Sequence, residues 1–203
     1  MSLDSRILLA VNQGWAHPWL DALFRQLSAT WGFSFPFLAL LVALLLRRFG
    51  RDGLWLSMAL AAVVLCGDAV GNLLKHLLTM PRPCLELAAQ IRPPGPCGGG
   101  NLGMPSNHAL NFFAASAFLA PWLRGRWSRW ALFLLAAAVG LSRVYLGRHY
   151  PSQVLVGASL GLIVGFAGAW MTARTALGRR LRERRFSAEP QGANAMDSQE
   201  PAH

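Results

Sequence analysis

Long apolar runs alternate along the chain with short breaks that are either basic or rich in Pro and Gly. Five of these runs can be drawn as membrane spans, over about 33–46, 54–74, 105–123, 130–146 and 154–173. A hydrocarbon core needs roughly 20 such residues, and several of the runs reach that length. The first is short, with Pro36 near its start. The pattern predicts an all-α protein, a polytopic membrane helix bundle of about five transmembrane helices. Residues 7–20 are also apolar in part but are interrupted by Asn12, Gln13, Gly14 and His17-Pro18. Residues 1–32 therefore read as an N-terminal interfacial amphipathic segment, neither a span nor a cleavable leader. Residues 33–173 form the expected membrane domain. Residues 174–203 read as a tail, basic at first and disordered from 187 onward, where neither aromatic nor β-branched residues occur.

Composition supports this division. Only 14% of the 203 residues are charged, against about 25% in an ordinary soluble domain. The formal charge of +10 could point to nucleic acid, but its distribution points elsewhere. The arginines cluster beside apolar runs: Arg47, Arg48 and Arg51; Arg124, Arg126 and Arg129; Arg174 and then Arg179, Arg180, Arg182, Arg184 and Arg185. Such clusters mark cytoplasmic loops, and no nucleic-acid motif accompanies them. With these three segments inside, the N-terminal segment, the loop 77–104 and the turn 148–152 fall outside. The outer loop is rich in Pro and Gly and is expected to be irregular. Cys84 and Cys97 flank it. In an oxidising compartment they could form a disulfide worth ~3 kcal/mol in the chain-entropy model; the alternative is two free thiols. Cys66 lies inside the second span and reads as a small apolar residue.

The ionisable residues of the outer side sit at span ends. The second span ends in Lys75-His76, followed by Pro81-Arg82-Pro83; the third begins Pro105-Ser106-Asn107-His108; the fourth ends Ser142-Arg143, before Arg148-His149. Three separate segments thus deliver cations and histidines to one face. Cationic donors suit a phosphate, and two histidines suit phosphoryl transfer, one as nucleophile and one as acid. Lys75 is the only lysine in the chain; taken alone, a snorkelling helix-end residue explains it as well. Ser106 can cap the helix that follows, whose first free N–H groups form an anion site.

Together these residues resemble the three signatures of the type 2 phosphatidic acid phosphatase family. Lys75, six residues, then Arg82-Pro83 is similar to the first; Pro105-Ser106-Asn107-His108 to the second, Pro-Ser-Gly-His; Ser142-Arg143, five residues, then His149 to the third. The resemblance covers about residues 33 to 173. It implies a membrane lipid phosphatase in which His149 is the nucleophile, His108 the acid, and Lys75, Arg82, Ser106, Asn107 and Arg143 hold the phosphate. It implies no metal or cofactor. The substrate would be a membrane lipid phosphate on the outer face of a bacterial inner membrane. The topology and length look most like undecaprenyl pyrophosphate phosphatases; phosphatidylglycerol phosphate, phosphatidic acid and lipid A are the substrates of other members.

Two positions depart from the family pattern. Asn107 stands where glycine is usual. Gln153 stands where an aspartate is expected to orient the nucleophilic histidine. A glutamine oxygen can accept the ring N–H but offers no full charge. Asp68, seven residues before Lys75 on the same helix face, is one substitute acid, and Glu86 a weaker one; Asp68 could instead pair with an arginine in the bundle. Gln153 also keeps two other readings open: a lipid-to-lipid phosphotransferase, and a non-catalytic binder or transporter of phospholipid headgroups.

Overall fold

The longest apolar runs form the longest helices. A computed structural model describes residues 1–92, 97 and 102–186, and among these it is helical without strands, apart from one isolated bridge between Pro81 and Leu102. After α1 (Leu3–Gly14) and α2 (Pro18–Leu27), a π-helical turn over Thr30–Ser34 runs into α3 (Phe35–Phe49). Then follow α4 (Arg51–Leu78), the short α5 (Pro83–Glu86), α6 (Asn107–Leu119), α7 (Arg126–Tyr145), α8 (Pro151–Ala173) and α9 (Ala176–Phe186). Gly50, at φ +59°, makes the turn between α3 and α4, a conformation that a side chain would strain. Pro151 opens α8, where a missing N–H leaves no helical hydrogen bond unmade.

Among the described residues, three stretches are long and apolar enough to cross a membrane: Thr30–Phe49, Arg51–Leu78 and Pro151–Ala173. Their outward side chains are left to lipid; Leu65 and Leu155, for example, are 69% and 66% exposed, which in water would be costly. The other two expected spans differ from these. α6 has 13 residues and extends only about 20 Å at the helical rise. Pro105 precedes it, and a 3₁₀ turn at Ala120–Trp122 ends it, so it is shorter than the apolar run over 105–123. α7 has 20 residues, of which Arg126, Arg129 and Arg143 are charged.

α6 packs most intimately against α8. Gly157, Gly161 and Gly165 lie on the face of α8 that meets it. A Cβ built on them would stand 2.5 Å from the Ser106 carbonyl oxygen, 2.3 Å from that of Leu110 and 2.3 Å from that of Ala114. Backbone therefore rides on backbone, the contact that small residues allow between helices in lipid. Ala109, Leu110, Ala114 and Ala117 on α6 are fully buried. Gly67 and Gly71 bring α4 against the same helix, beside Leu110 and Asn107. α6 is thus the central strut.

The basic breaks gather at one end, where Arg180 of α9 pairs with Asp52 at 3.1 Å. At the other end α1 and α2 fold over α7 and α8. The Asn12 amide donates to the Tyr145 carbonyl at 2.8 Å. Asp21 accepts from the Tyr145 hydroxyl at 2.5 Å and from Arg92 at 2.6 Å. The Tyr145 hydrogen bond outweighs burial and, with Arg92, holds the Asp21 carboxyl below its ordinary value. Asp4 accepts from the Ser152 N–H at 3.0 Å and also bonds the Ser152 hydroxyl. The N-terminal helices therefore pack onto the bundle end rather than only lying beside it. Cys84 and Cys97 are joined by a disulfide with Cα atoms 5.8 Å apart. The expected disorder over 187–203 and part of the loop 77–104 lie outside the described residues.

Gly161→Ala is expected to lower stability by about 1–3 kcal/mol, the cost of overpacking a tight contact. Thermal unfolding in detergent measures it, and an unchanged melting temperature would refute the close seam.

Candidate active site

Three segments converge at the end of the bundle opposite the basic breaks: the start of α6, the strands of chain at 80–82 and 102–103, and the turn from α7 to α8. That turn is tight. The backbone N–H groups of Arg148 and His149 both donate to the Arg143 carbonyl, at 2.9 and 3.2 Å. Gly147 makes the turn at φ +64°, and a Cβ there would stand 2.6 Å from Ile91. The sequence thus folds His149 back over the end of α7, directly before α8 begins.

His149 is 2% exposed and Gln153 is 1% exposed. The His149 Nδ1 lies 2.8 Å from the Gly103 carbonyl oxygen and 3.1 Å from the Gln153 Oε1. The Gln153 amide is itself oriented: its Nε2 donates to the Pro81 carbonyl at 2.9 Å, and its Oε1 accepts from the Tyr150 N–H at 3.2 Å. Flipping the amide would break both bonds. Both neighbours of Nδ1 are therefore acceptors, so Nδ1 carries the proton and Nε2 keeps the lone pair. Glycine at 103 makes this arrangement fit, since a Cβ there would meet Gln153 at 2.6 Å.

Cations surround this imidazole. Arg82 and Arg143 are 5% and 4% exposed. Arg82 Nε donates to the Leu102 carbonyl at 3.2 Å and its Nη1 to that of Cys97 at 3.4 Å, which ties it to the disulfide loop. Arg143 Nη1 donates to the Ser28 hydroxyl. Burial, followed by Arg143 and Arg82, holds His149 well below the ordinary imidazole value of 6.5. Burial, followed by Arg148, likewise lowers Arg82. Arg143 Nε, Arg148 Nε and the Ser106 hydroxyl are buried without a hydrogen-bond partner among the described residues. Buried donors normally find acceptors, and three left over at one place suit an incoming anion. Ser106 stands at the N-cap of α6 but makes no side-chain capping bond, a correction to the capping expected from the sequence. Its hydroxyl is turned away from the helix N–H groups.

Asn107 occupies its position through a polar network. Its Nδ2 donates to Asp68 at 2.7 Å and to Asn72 Oδ1 at 2.8 Å, and its Oδ1 accepts from Lys75 Nζ. Asn111 also reaches Asp68, at 3.2 Å. Asp68 thus bonds three amides, and neither His149 nor an arginine. Glu86 accepts from the Tyr150 hydroxyl at 2.8 Å. Burial first, and then Glu86, raise Tyr150 to about 12. The acceptors on the His149 imidazole are neutral ones, so neither acid suggested from the sequence takes the missing aspartate's place. A cavity of about 370 Å³ opens beside His108, Asn107 and Asp68, with apolar walls from Phe35, Leu38 and Phe112.

The model of the PAP2 superfamily matches residues 52–176. The chain belongs to the PAP2 superfamily. It is 26% identical over 168 residues to the lipid A 4'-phosphatase of Porphyromonas gingivalis, covering 81% of this chain and 71% of that one. It is 37% identical over 130 residues to the decaprenylphosphoryl-5-phosphoribose phosphatase of Mycobacterium tuberculosis, covering 63% and 66%. The crystal structure of Aquifex aeolicus LpxE superposes with a TM-score of 0.66 at 24% identity, over 83% of this chain and 95% of that one. As a PAP2 protein the chain is a membrane lipid phosphatase, and its all-helical bundle is the fold of that LpxE.

All the motif residues read from the sequence lie at this end, on or beside the converging segments. His76 is exposed at the end of α4, away from these contacts. Sequence reasoning missed the parts played by Gly103, Pro81, Ser28 and Asp4, because Gly103 and Pro81 act through backbone carbonyls and Ser28 and Asp4 come from the N-terminal helices. Among the polar residues of that stretch, the two acids Asp4 and Asp21 hinted that it meets charged or polar partners.

Because His149 is held below 6.5, the acid limb of kcat/KM that reports it should lie below pH 6.5. Gln153→Glu places a negative charge beside the ring and should move that limb to higher pH than in the wild type on the same substrate. An identical limb in both proteins would show that position 153 does not set the basicity of His149.

Proposed function

We propose that this PAP2 protein hydrolyses a phosphate monoester or pyrophosphate on a membrane lipid through a phosphohistidine at His149. One observation carries the reading: Nδ1 of His149 is held as a donor by Gly103 and Gln153, which leaves Nε2 free to attack. His149 Nε2 bonds to phosphorus as the bond from phosphorus to the lipid oxygen breaks, and His108 gives that oxygen a proton. Water then attacks the same phosphorus, His108 takes its proton, and the phosphorus–nitrogen bond breaks to release inorganic phosphate. Lys75, Arg82 and Arg143, with Ser106 and the N–H groups near Asn107, hold the phosphate oxygens. Arg148 joins them through its Nε, which has no partner among the described residues. The cations offset the charge that spreads over the equatorial oxygens, and Gln153 positions the nucleophile.

The domain reading is that residues 33–173 form the phosphatase, 1–32 the interfacial segment and 174–203 the cytoplasmic tail. The chain lies in a bacterial inner membrane with the site facing the periplasm or exterior. Two features support that orientation: the arginine-rich breaks lie at the opposite end, and a disulfide at the site end suits an oxidising compartment. Undecaprenyl pyrophosphate and the phosphates of lipid A are the leading substrates. The first is proposed from the sequence pattern, the second from the relative in Porphyromonas gingivalis.

Phosphate release from both lipids, beside phosphatidylglycerol phosphate and phosphatidic acid, tests the reading in detergent with and without a chelator. His149→Ala should lose at least about a thousandfold in rate, as expected for a nucleophile, while keeping the wild-type melting temperature. Release that persists in His149→Ala would refute the nucleophile. Transfer of labelled phosphate to a second lipid without release would identify a phosphotransferase, and binding without either would leave a headgroup binder.

A further inference from the structure

α2 lies outside residues 52–176, the part of the chain that carries the PAP2 match. It nevertheless ends inside the site. Phe24 packs its ring on Tyr145 of α7 with centroids 4.6 Å apart. One turn later Ser28, 3% exposed, continues the helix through a bond from its N–H to the Phe24 carbonyl at 3.0 Å. Its hydroxyl oxygen accepts from Arg143 Nη1. One residue of the N-terminal helices therefore touches the buried guanidinium. Arg143 Nε has no partner among the described residues, so the Ser28 hydroxyl is the side-chain contact that sets how its fork is turned.

We propose that Ser28 is a positioning residue of the active site: its hydroxyl aims the Arg143 guanidinium at the substrate phosphate, and the α1–α2 hairpin is thereby part of the phosphate-binding machinery. The inference rests on the phosphatase reading above, in which Arg143 holds a phosphate oxygen. A planar guanidinium binds an oxyanion through paired N–H groups, so its rotation matters as much as its presence. Space filling alone would not need a hydroxyl at position 28, because alanine there removes one oxygen and leaves the backbone of α2 as it is. The hairpin is held independently by Asp21 with Arg92 and Tyr145, and by Asp4 with Ser152. Changing Ser28 should therefore leave it docked.

The test uses the full-length protein in detergent, with two variants and two readouts. The readouts are kcat/KM for lipid phosphate hydrolysis and the affinity for orthovanadate, read from its shift of the melting temperature. Ser28→Ala should lower kcat/KM about tenfold and weaken vanadate by a similar factor, the scale of one charge-assisted hydrogen bond. The melting temperature without ligand should stay at the wild-type value. Ser28→Thr, which keeps the hydroxyl, should recover most of both. Wild-type kcat/KM and vanadate affinity in Ser28→Ala would overturn the inference. Equal losses in both variants with a lowered melting temperature would overturn it too, by making position 28 a packing site. The phosphatase reading fails separately, through a wild type that releases no phosphate from any lipid. In that case the vanadate shift still reads Ser28, and a wild type that does not bind vanadate overturns both.

Discussion

The approach of α6 to α8 is the constraint on which the rest depends. Gly157, Gly161 and Gly165 let the α8 backbone lie on the carbonyls of Ser106, Leu110 and Ala114. That seam sets where the start of α6 stands relative to the start of α8. His108 is the second residue of the first helix and His149 stands two residues before the second, so the spacing of the two imidazoles is inherited from the glycines. A bond from the Ser106 N–H to the Gln153 carbonyl at 3.0 Å locks the two ends together. In lipid there is little hydrophobic drive between helices, and close van der Waals contact supplies the association instead.

Glutamine at 153 shows how a neutral residue can hold an imidazole. An aspartate would stabilise the positive ring; this chain relies on geometry. The Gly103 carbonyl is the shorter of the two contacts to Nδ1. The Gln153 amide is oriented by Pro81 and Tyr150, while burial, and then Arg143 and Arg82, disfavour a positive charge on the ring. The result favours the neutral form of His149. Asn107 is a parallel case. Its larger side chain is accommodated by Gly71 on α4, and it links Asp68 to Lys75. Each departure from the family pattern is thus matched by a glycine that makes room for it.

Much was legible in the sequence. Apolar run lengths determine the helices, because a chain in hydrocarbon must satisfy its backbone within each segment. The arginine clusters determine which breaks share an end. The motif residues Lys75, Arg82, His108, Arg143 and His149 could be named because their chemistry sits at run boundaries in three separate segments.

Other features were decided only by the tertiary structure. A run of apolar residues does not reveal that α6 is a short central strut, since its length is limited by the flanking Pro105 and the 3₁₀ turn. Composition suggested Asp68 as an acid for His149, yet folding gives it to Asn107, Asn72 and Asn111. The shorter of the two contacts to the His149 ring, the Gly103 carbonyl, belongs to backbone that every residue possesses, so no residue type announces it. Ser28 is an ordinary serine until α2 folds onto α7 and brings it to Arg143. The sequence by itself determined which groups are present and on which helix ends they stand. Only packing decided which of them touch, because a hydrogen bond depends on distances of a few tenths of an ångström that no local pattern encodes.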